Sequence, residues 1–290
     1  MKTASPMLSS PLKWVGGKSK LRSRIIDLIP DGVECWGEVF AGAGWVTFGK
    51  PPHPVEYLND KNGDLANLWR VLKWKPAELL EEVHKHLYCR ETFLELRQER
   101  PDGSDEMARA VWLYLLIQMS FGADVSRTQS ASFGFWNKSR GDLFLNKSLD
   151  QFAPAKERLR GVFVENLDFA DVIRRYDQPR AFHFCDPPYL GTCGYAEGFT
   201  QDDHARLAET LNGIEGRFLV TVNDHPAIRE MYAGKAILSC LEARGISRAP
   251  KAREAAPILL ITNYEVEGAS ALADAAPPRR RPQVRFEFDG

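Results

Sequence analysis

The chain is poor in the raw material of metal sites, disulfide frames and membrane spans. Its five cysteines, Cys35, Cys89, Cys185, Cys193 and Cys240, are scattered and odd in number, with no CxxC pair. That argues against a zinc site or a disulfide scaffold, and a reducing cytoplasm is the expected location. No apolar run approaches the length that crosses a bilayer. Polar residues and Pro6 interrupt any secretory leader at the start. An excess of one charge is missing too: 38 basic against 39 acidic residues leave a net charge of −1, so any nucleic-acid face must come from local clustering. There is no GxGxxG, no Walker spacing around the Gly-Gly-Lys, and no internal repeat. What is present, 290 residues with 44% hydrophobic and 27% charged, suits one large water-soluble domain or one domain carrying an insertion.

The most informative stretch is Phe182–His183–Phe184–Cys185–Asp186–Pro187–Pro188–Tyr189. A short apolar run reads as a strand, and neither proline can sit in a central ladder, so Asp186 to Tyr189 leave the strand at its carboxyl end. In open α/β sheets that edge is where ligands bind. A carboxylate at Asp186, a rigid turn with a free carbonyl at Pro187, Pro188, and a flat ring at Tyr189 suit an amino group on a planar base. The plainer alternative is a strand-ending turn.

Before it come a helix entrance and two further strand tips. Pro11–Leu12–Lys13–Trp14–Val15–Gly16–Gly17–Lys18 leads into a helical pattern that Pro30–Asp31–Gly32 stops. Gly16 and Gly17 allow close backbone approach, Lys18 offers a cation, and Trp14 is core or ligand cover. Glu34 to Phe40 reads as a buried strand running through Glu38 and Phe40 into a bend with Gly42 and Gly44, with a helix expected from about Trp45. Glycines there let a cofactor lie against the backbone, although a plain glycine turn is the competing account. Val55 to Asp60 is the second strand; Asp60 is placed for ribose hydroxyls or for a helix N-cap.

From Lys73 to about Arg160 the alternation of strand and helix stops. Residues 76–100 and 104–121 have helical patterning. Phe121 to Lys147 is a long aperiodic stretch whose interleaved basic, amide and aromatic residues include Arg127, Gln129, Phe133, Trp136, Asn137, Lys138 and Arg140. Such a stretch fits phosphate gripping and base contact, or else a solvated insertion. The sheet resumes at Gly161. Asp168 then stands at a strand tip beside Phe169, placed for an adenine ring or an N-cap. Leu190 to Phe199 suits a lid, residues 200–213 a helix opened by Thr200, and Phe218 to Val222 a strand ending at Asn223–Asp224–His225. His225 reads as a local hydrogen-bonding residue. Ala236 to Leu241 and Ile258 to Thr262 read as two final strands, separated by a basic segment, Arg244 to Arg253.

Taken in this order, the Trp14-to-Lys18 stretch, Glu38-to-Gly44, Asp60 and Asp186–Pro187–Pro188–Tyr189 resemble the Dam-like (α motif-order) DNA adenine-N6 methyltransferases across most of residues 11–265. The resemblance implies a Rossmann-like α/β sheet, with residues 11–73 and 161–266 as a discontinuous catalytic domain. It also implies a mainly helical DNA-recognition insertion at 74–160, between flexible termini at 1–10 and 267–290. S-adenosylmethionine would be the cofactor, double-stranded DNA the substrate, and neither metal nor membrane is expected. A cognate restriction nuclease is left open. Trp14, Lys18 and the Gly42/Gly44 loop would embrace the methionine end, with Gly16, Gly17, Glu38 and Phe40 also among the cofactor-binding residues. Asp60 would take the ribose, Asp168 and Phe169 the adenine, and Asp186 to Tyr189 the target base. The insertion departs from the pattern, with Phe121–Gly122–Ala123–Asp124 where an Asn-Gly-Leu-x-Arg run is expected, which implies a relaxed or different target site.

Overall fold

Alternation of apolar residues with strand-breaking turns produces a parallel sheet flanked by helices. In the computed structural model the described residues are 8–123, 132–134, 143–191, 198–242 and 256–266. Among them the strands are β1 (Cys35–Glu38), β2 (Val55–Asn59), β3 (Val162–Glu165), β4 (Ala181–Cys185), β5 (Arg217–Asn223), β6 (Ala236–Glu242) and β7 (Ala256–Thr262). They form one sheet in the order β3-β2-β1-β4-β5-β7-β6. β1 to β5 pair in parallel, while β7 lies antiparallel between β5 and β6. This is the Rossmann-like α/β sheet that the resemblance implies.

β4 shows why the strands read as nearly continuous apolar runs: all five residues are buried because both faces are covered. Ala181 and Cys185 face the helices α8 (Phe169–Tyr176), α9 (Gln201–Asn212) and α10 (Pro226–Met231). Phe182 and Phe184 face α1 (Arg22–Asp27) and stack on Trp36, with ring centroids 5.3 and 6.2 Å away. His183 is fully buried, its Nδ1 2.6 Å from the Tyr57 hydroxyl. Tyr57 in turn lies so close over Gly37 that a Cβ there would sit 1.8 Å from its ring, so β1 needs glycine at that point.

The remaining helices are α2 (Trp45–Gly49), α3 (Gly63–Trp74), α4 (Pro76–His84), α5 (Arg90–Gln98), α6 (Glu106–Met119) and α7 (Leu143–Leu159). α6 is buried almost all round from Ala110 to Ile117, as a helix apolar on every side must be. It shares one apolar cluster with Leu12, Ala41, Phe48, Leu58, Leu65 and Trp69, so helices of the 74–160 segment pack into the same core as the sheet. The helical pattern over 76–100 resolves into two helices, the second restarted by Cys89, whose sulfur caps Thr92 N–H. The aperiodic stretch ends earlier than its composition suggests, because α7 begins at Leu143. Within it, Phe133 is held by a bridge to Ser120 and packs between Tyr88 and Phe93. Phe133 is a packing residue. Among the described residues no helix is long and apolar enough to cross a membrane, and no group of three or more His, Cys, Asp or Glu side chains is placed to hold a metal.

Candidate active site

The chain leaves β1 toward β2 and β3 on one side of the sheet, and β4 begins the other side. β1 and β4 are hydrogen-bonded neighbours, so the crevice beyond their carboxyl ends is the topological switch point. A cavity of about 540 Å³ opens there, within the ~300–1,000 Å³ range of small-molecule sites. The glycine bend after β1 and the acid-proline turn after β4 both line it. Of the anticipated residues, Trp14, Gly16, Gly17 and Lys18 reach it from the chain before α1, Glu38, Phe40 and Gly42 from β1 and its bend, and Asp60, Asp168, Phe169, Asp186 and Pro188 from the other strand tips. Gly44 stands behind the lining as the left-handed N-cap of α2, and Pro187 is buried in the turn. The Tyr189 ring lies 5.0 Å from the Lys18 ammonium.

Gly42 closes the bend. Its φ of +48° is left-handed, its N–H donates to Asp60 Oδ2 at 2.9 Å, and its carbonyl accepts from Trp69 Nε1 at 3.1 Å. A Cβ there would meet the Trp14 ring at 2.8 Å. Asp60 also accepts from Asn62 N–H at 2.9 Å. The cap of α3 is Asn62, so the alternative of Asp60 as N-cap is not realised. Burial holds the Asp60 carboxyl above its usual range despite these two donors.

At the centre of the crevice, Asp186 Oδ2 lies 2.9 Å from Lys18 Nζ, and Asp186 Oδ1 accepts from Thr221 Oγ1 at 2.5 Å. Burial raises the Asp186 carboxyl, while Lys18 and the Thr221 hydroxyl pull it back. Lys18 Nζ also donates to Gly16 O at 2.7 Å. The expectation for Lys18 was the methionine end of a cofactor; its ammonium stands between the glycine stretch and Asp186. Glu38 is buried at the end of β1 and accepts Thr47 N–H at 2.5 Å. Burial drives its carboxyl up to about 7, against the Thr47 N–H and Lys50.

At the third tip, Asp168 caps α8 through Ala170 N–H and holds Arg206 bidentately at 2.7 and 3.0 Å, which keeps its carboxyl low. The N-cap alternative is thus realised here, alongside a position in the cavity wall. The Arg206 guanidinium lies 3.9 Å from the Phe169 ring centroid. Sequence reasoning missed Arg206, Asn59 and Thr221. Asn59 ties the crevice together, donating to Val39 O and Leu167 O and accepting Leu167 N–H. A polar residue ending a buried strand was its one signal, and Thr221 gave a similar one inside Leu-Val-Thr-Val. His225 caps α10 through Ala227 N–H, as its local reading anticipated. Arg127, Gln129, Trp136, Asn137, Lys138 and Arg140 lie outside the described residues, as does the basic segment 244–253.

With the geometry in view, the comparisons with known proteins bear on it directly. Residues 14–246 match the family model of the D12 class N6 adenine-specific DNA methyltransferases. A type II methyltransferase, M1.LlaDCHI of Lactococcus lactis subsp. cremoris, is 24% identical over 87% of this chain and 94% of its own length. The DNA N-6-adenine-methyltransferase of Escherichia phage P1 is 28% identical over 80% of this chain but only 32% of its own length. The DNA adenine methylase of Haemophilus influenzae is 24% identical over 83% and 89%. A switch-point crevice lined by an acid-proline turn and a glycine bend, in a chain matched over most of its length, leads to one conclusion: this protein belongs to the D12 class N6 adenine-specific DNA methyltransferases.

Proposed function

We propose that the protein transfers a methyl group from S-adenosylmethionine to the N6 amino group of an adenine flipped out of double-stranded DNA. The observation that carries this reading is the single cavity lined by both Gly42 and Asp186. Donor and acceptor sites must share one space for a carbon to pass between them. The residues present fit the cofactor. Left-handed Gly42 lets the chain bend away beside Asp60, and that carboxylate suits a hydroxyl-bearing ribose. Phe169 and Phe40 offer rings for a purine, and the acidic lining suits a sulfonium cation. When bound, S-adenosylmethionine supplies an already activated methyl group.

A base cannot be alkylated within the stack, so it is extruded at a cost of a few kcal/mol. Stacking on Tyr189 returns ~1–3 kcal/mol. The amino nitrogen of adenine is conjugated and weakly nucleophilic. The Asp186 carboxylate and the Pro187 carbonyl accept its two N–H bonds, drawing the nitrogen toward tetrahedral geometry and freeing its lone pair. The same acceptors stabilise the positive charge that grows on nitrogen during transfer. Cys185 takes no part: its side chain is buried in β4 and burial drives its thiol far up. The 74–160 segment contacts DNA through Arg127, Gln129, Trp136, Asn137, Lys138 and Arg140, with a target site that is relaxed or distinct from GATC. The test is incubation with methyl-labelled S-adenosylmethionine and unmethylated plasmid DNA, followed by digestion to nucleosides. Label in N6-methyladenosine is expected; label in cytosine, in protein or nowhere overturns the reading.

A further inference from the structure

Thr221 belongs to no recognised motif, yet it touches the centre of the crevice. It sits in the middle of β5, fully buried, between Val220 and Val222, which face the α8–α10 side of the sheet. Its neighbour Leu219 joins the apolar cluster on the α1 side. A hydroxyl buried in such a strand is costly unless it is hydrogen-bonded, and valine would fill the same volume without that cost. The hydroxyl is satisfied by Asp186: Thr221 Oγ1 donates to Oδ1 at 2.5 Å, while Lys18 Nζ holds Oδ2 at 2.9 Å.

We propose that Thr221 is a positioning residue for Asp186, the second arm of a clamp with Lys18 that sets the carboxylate's rotation. The inference rests on the reading that Asp186 accepts from the target amino group. A carboxylate offers about four lone-pair directions. One donor on each oxygen stops rotation about the terminal torsion and leaves each oxygen a further lone pair for an incoming N–H. Lys18 alone fixes one oxygen and lets the group swing about it, because an ammonium is a point charge with rotatable donors. Thr221 reaches across from the adjacent strand, where the parallel β4–β5 pairing sets its distance.

The clamp also bears on charge. The titratable groups around Asp186 are Lys18, Glu38 and Cys185. Burial favours the neutral acid and a charged Glu38 acts in the same direction, Cys185 stays an uncharged thiol, and Lys18 and the Thr221 hydroxyl favour the anion. A protonated Asp186 has one acceptor fewer for the amino group. Loss of the Thr221 hydroxyl therefore both loosens the carboxylate and raises the pH at which it becomes neutral.

The experiment is single-turnover transfer to unmethylated plasmid DNA with saturating labelled S-adenosylmethionine, measured against pH for Thr221→Val, Thr221→Ala and Thr221→Ser. Thr221→Ala removes the hydroxyl without adding a methyl, so a folding defect confined to the valine variant leaves a second probe. We expect Thr221→Val and Thr221→Ala to slow transfer about tenfold, one lost hydrogen bond to a charged group. The acid limb of the rate profile should move to higher pH in both. S-adenosylmethionine affinity should stay within about twofold, and Thr221→Ser should restore rate and limb. Wild-type rates with an unmoved limb in the valine and alanine variants overturn the proposal. So does a serine variant as slow as valine, which would make the role one of packing. Asp186→Ala, run beside them, separates the premise: if it transfers methyl at the wild-type rate, the reading of Asp186 fails and the clamp has nothing to position.

Discussion

Strand β2 has a carboxylate near each end, Glu56 within it and Asp60 just past it, and the two are treated in opposite ways. At its amino end, Glu56 is 2% exposed and surrounded by donors. Lys50 pairs with it, Arg158 reaches both its oxygens at 2.5 and 2.9 Å, and the His53 backbone N–H donates at 3.1 Å. Burial alone would raise the Glu56 carboxyl, but His53, Arg158 and Lys50 outweigh it and hold it down at about 2. Burial, with the like charge of Arg158, lowers Lys50 to about 8 against the pull of Glu56. Just past the carboxyl end of the same strand, Asp60 has two backbone N–H donors among the described residues, and burial keeps its carboxyl raised. Asp186 and Glu38, in the same crevice, are raised as well. The amino end has its charges satisfied by protein and contributes stability. The carboxyl end leaves them under-compensated, as expected where ligands are to complete the set.

The comparison breaks most sharply if Asp186 proves dispensable. Asp186→Ala should lower methyl transfer by about 10²–10³-fold or more, the scale for removing one charge-stabilising partner. S-adenosylmethionine binding, followed by calorimetry, should survive; a variant with intact turnover would place Asp186 among the merely structural acids. Next comes the amino end. Glu56→Gln should strand the buried Lys50 and Arg158 charges and cost about 3 kcal/mol or more in denaturant unfolding. Methyl transfer per folded molecule should not change. Because the folded Glu56 carboxyl lies below its unfolded value of 4.5, its stabilisation is complete above that pH and lost as pH falls toward about 2. Wild-type protein should therefore lose about 3 kcal/mol across that window from this group, and Glu56→Gln should lose less.

The two ends also differ in how well they could be read from sequence. The crevice was legible because turn chemistry is local: prolines at 187 and 188, and glycines at 42 and 44, announce where strands stop, and a parallel sheet gathers strand tips onto one edge. The amino-end cluster was invisible, since Lys50, Glu56 and Arg158 meet only after the long helical segment has folded back. Arg206 over Phe169 and Thr221 on Asp186 escaped for the same reason: each pairs residues far apart in the chain. Asp60 and Asp168 looked alike as strand-tip acids. What separated them was Asn62, which took the cap of α3 and freed Asp60, whereas Asp168 caps α8 itself. Of the helices of 74–160, α6 was legible from periodicity, α4 and α5 read as one helical stretch, and α7 was not anticipated. Their union with the sheet in one apolar cluster was not legible, because an all-round apolar helix such as α6 does not specify its partners.

Smaller effects should sharpen the contrast. Gly42→Ala forces a side chain into a left-handed bend and against the Trp14 ring, and it should cost about 1–2 kcal/mol of stability. S-adenosylmethionine affinity should fall with it, because the bend and the Asp60 contact move together. Asp60→Asn is the most discriminating of the set. Its folded carboxyl lies above the unfolded value of 3.8, so ionised Asp60 opposes folding at neutral pH. An amide of the same size removes that charge and keeps an oxygen for Gly42 N–H, while the Asn62 N–H loses its acceptor, a smaller cost at an exposed site. Thermal stability should hold or rise slightly, while S-adenosylmethionine affinity falls about tenfold, roughly 1.4 kcal/mol. Glu56→Gln should do the reverse, losing stability and keeping affinity. If both substitutions moved stability in the same direction, the difference between the two ends of β2 would be one of position and not of purpose.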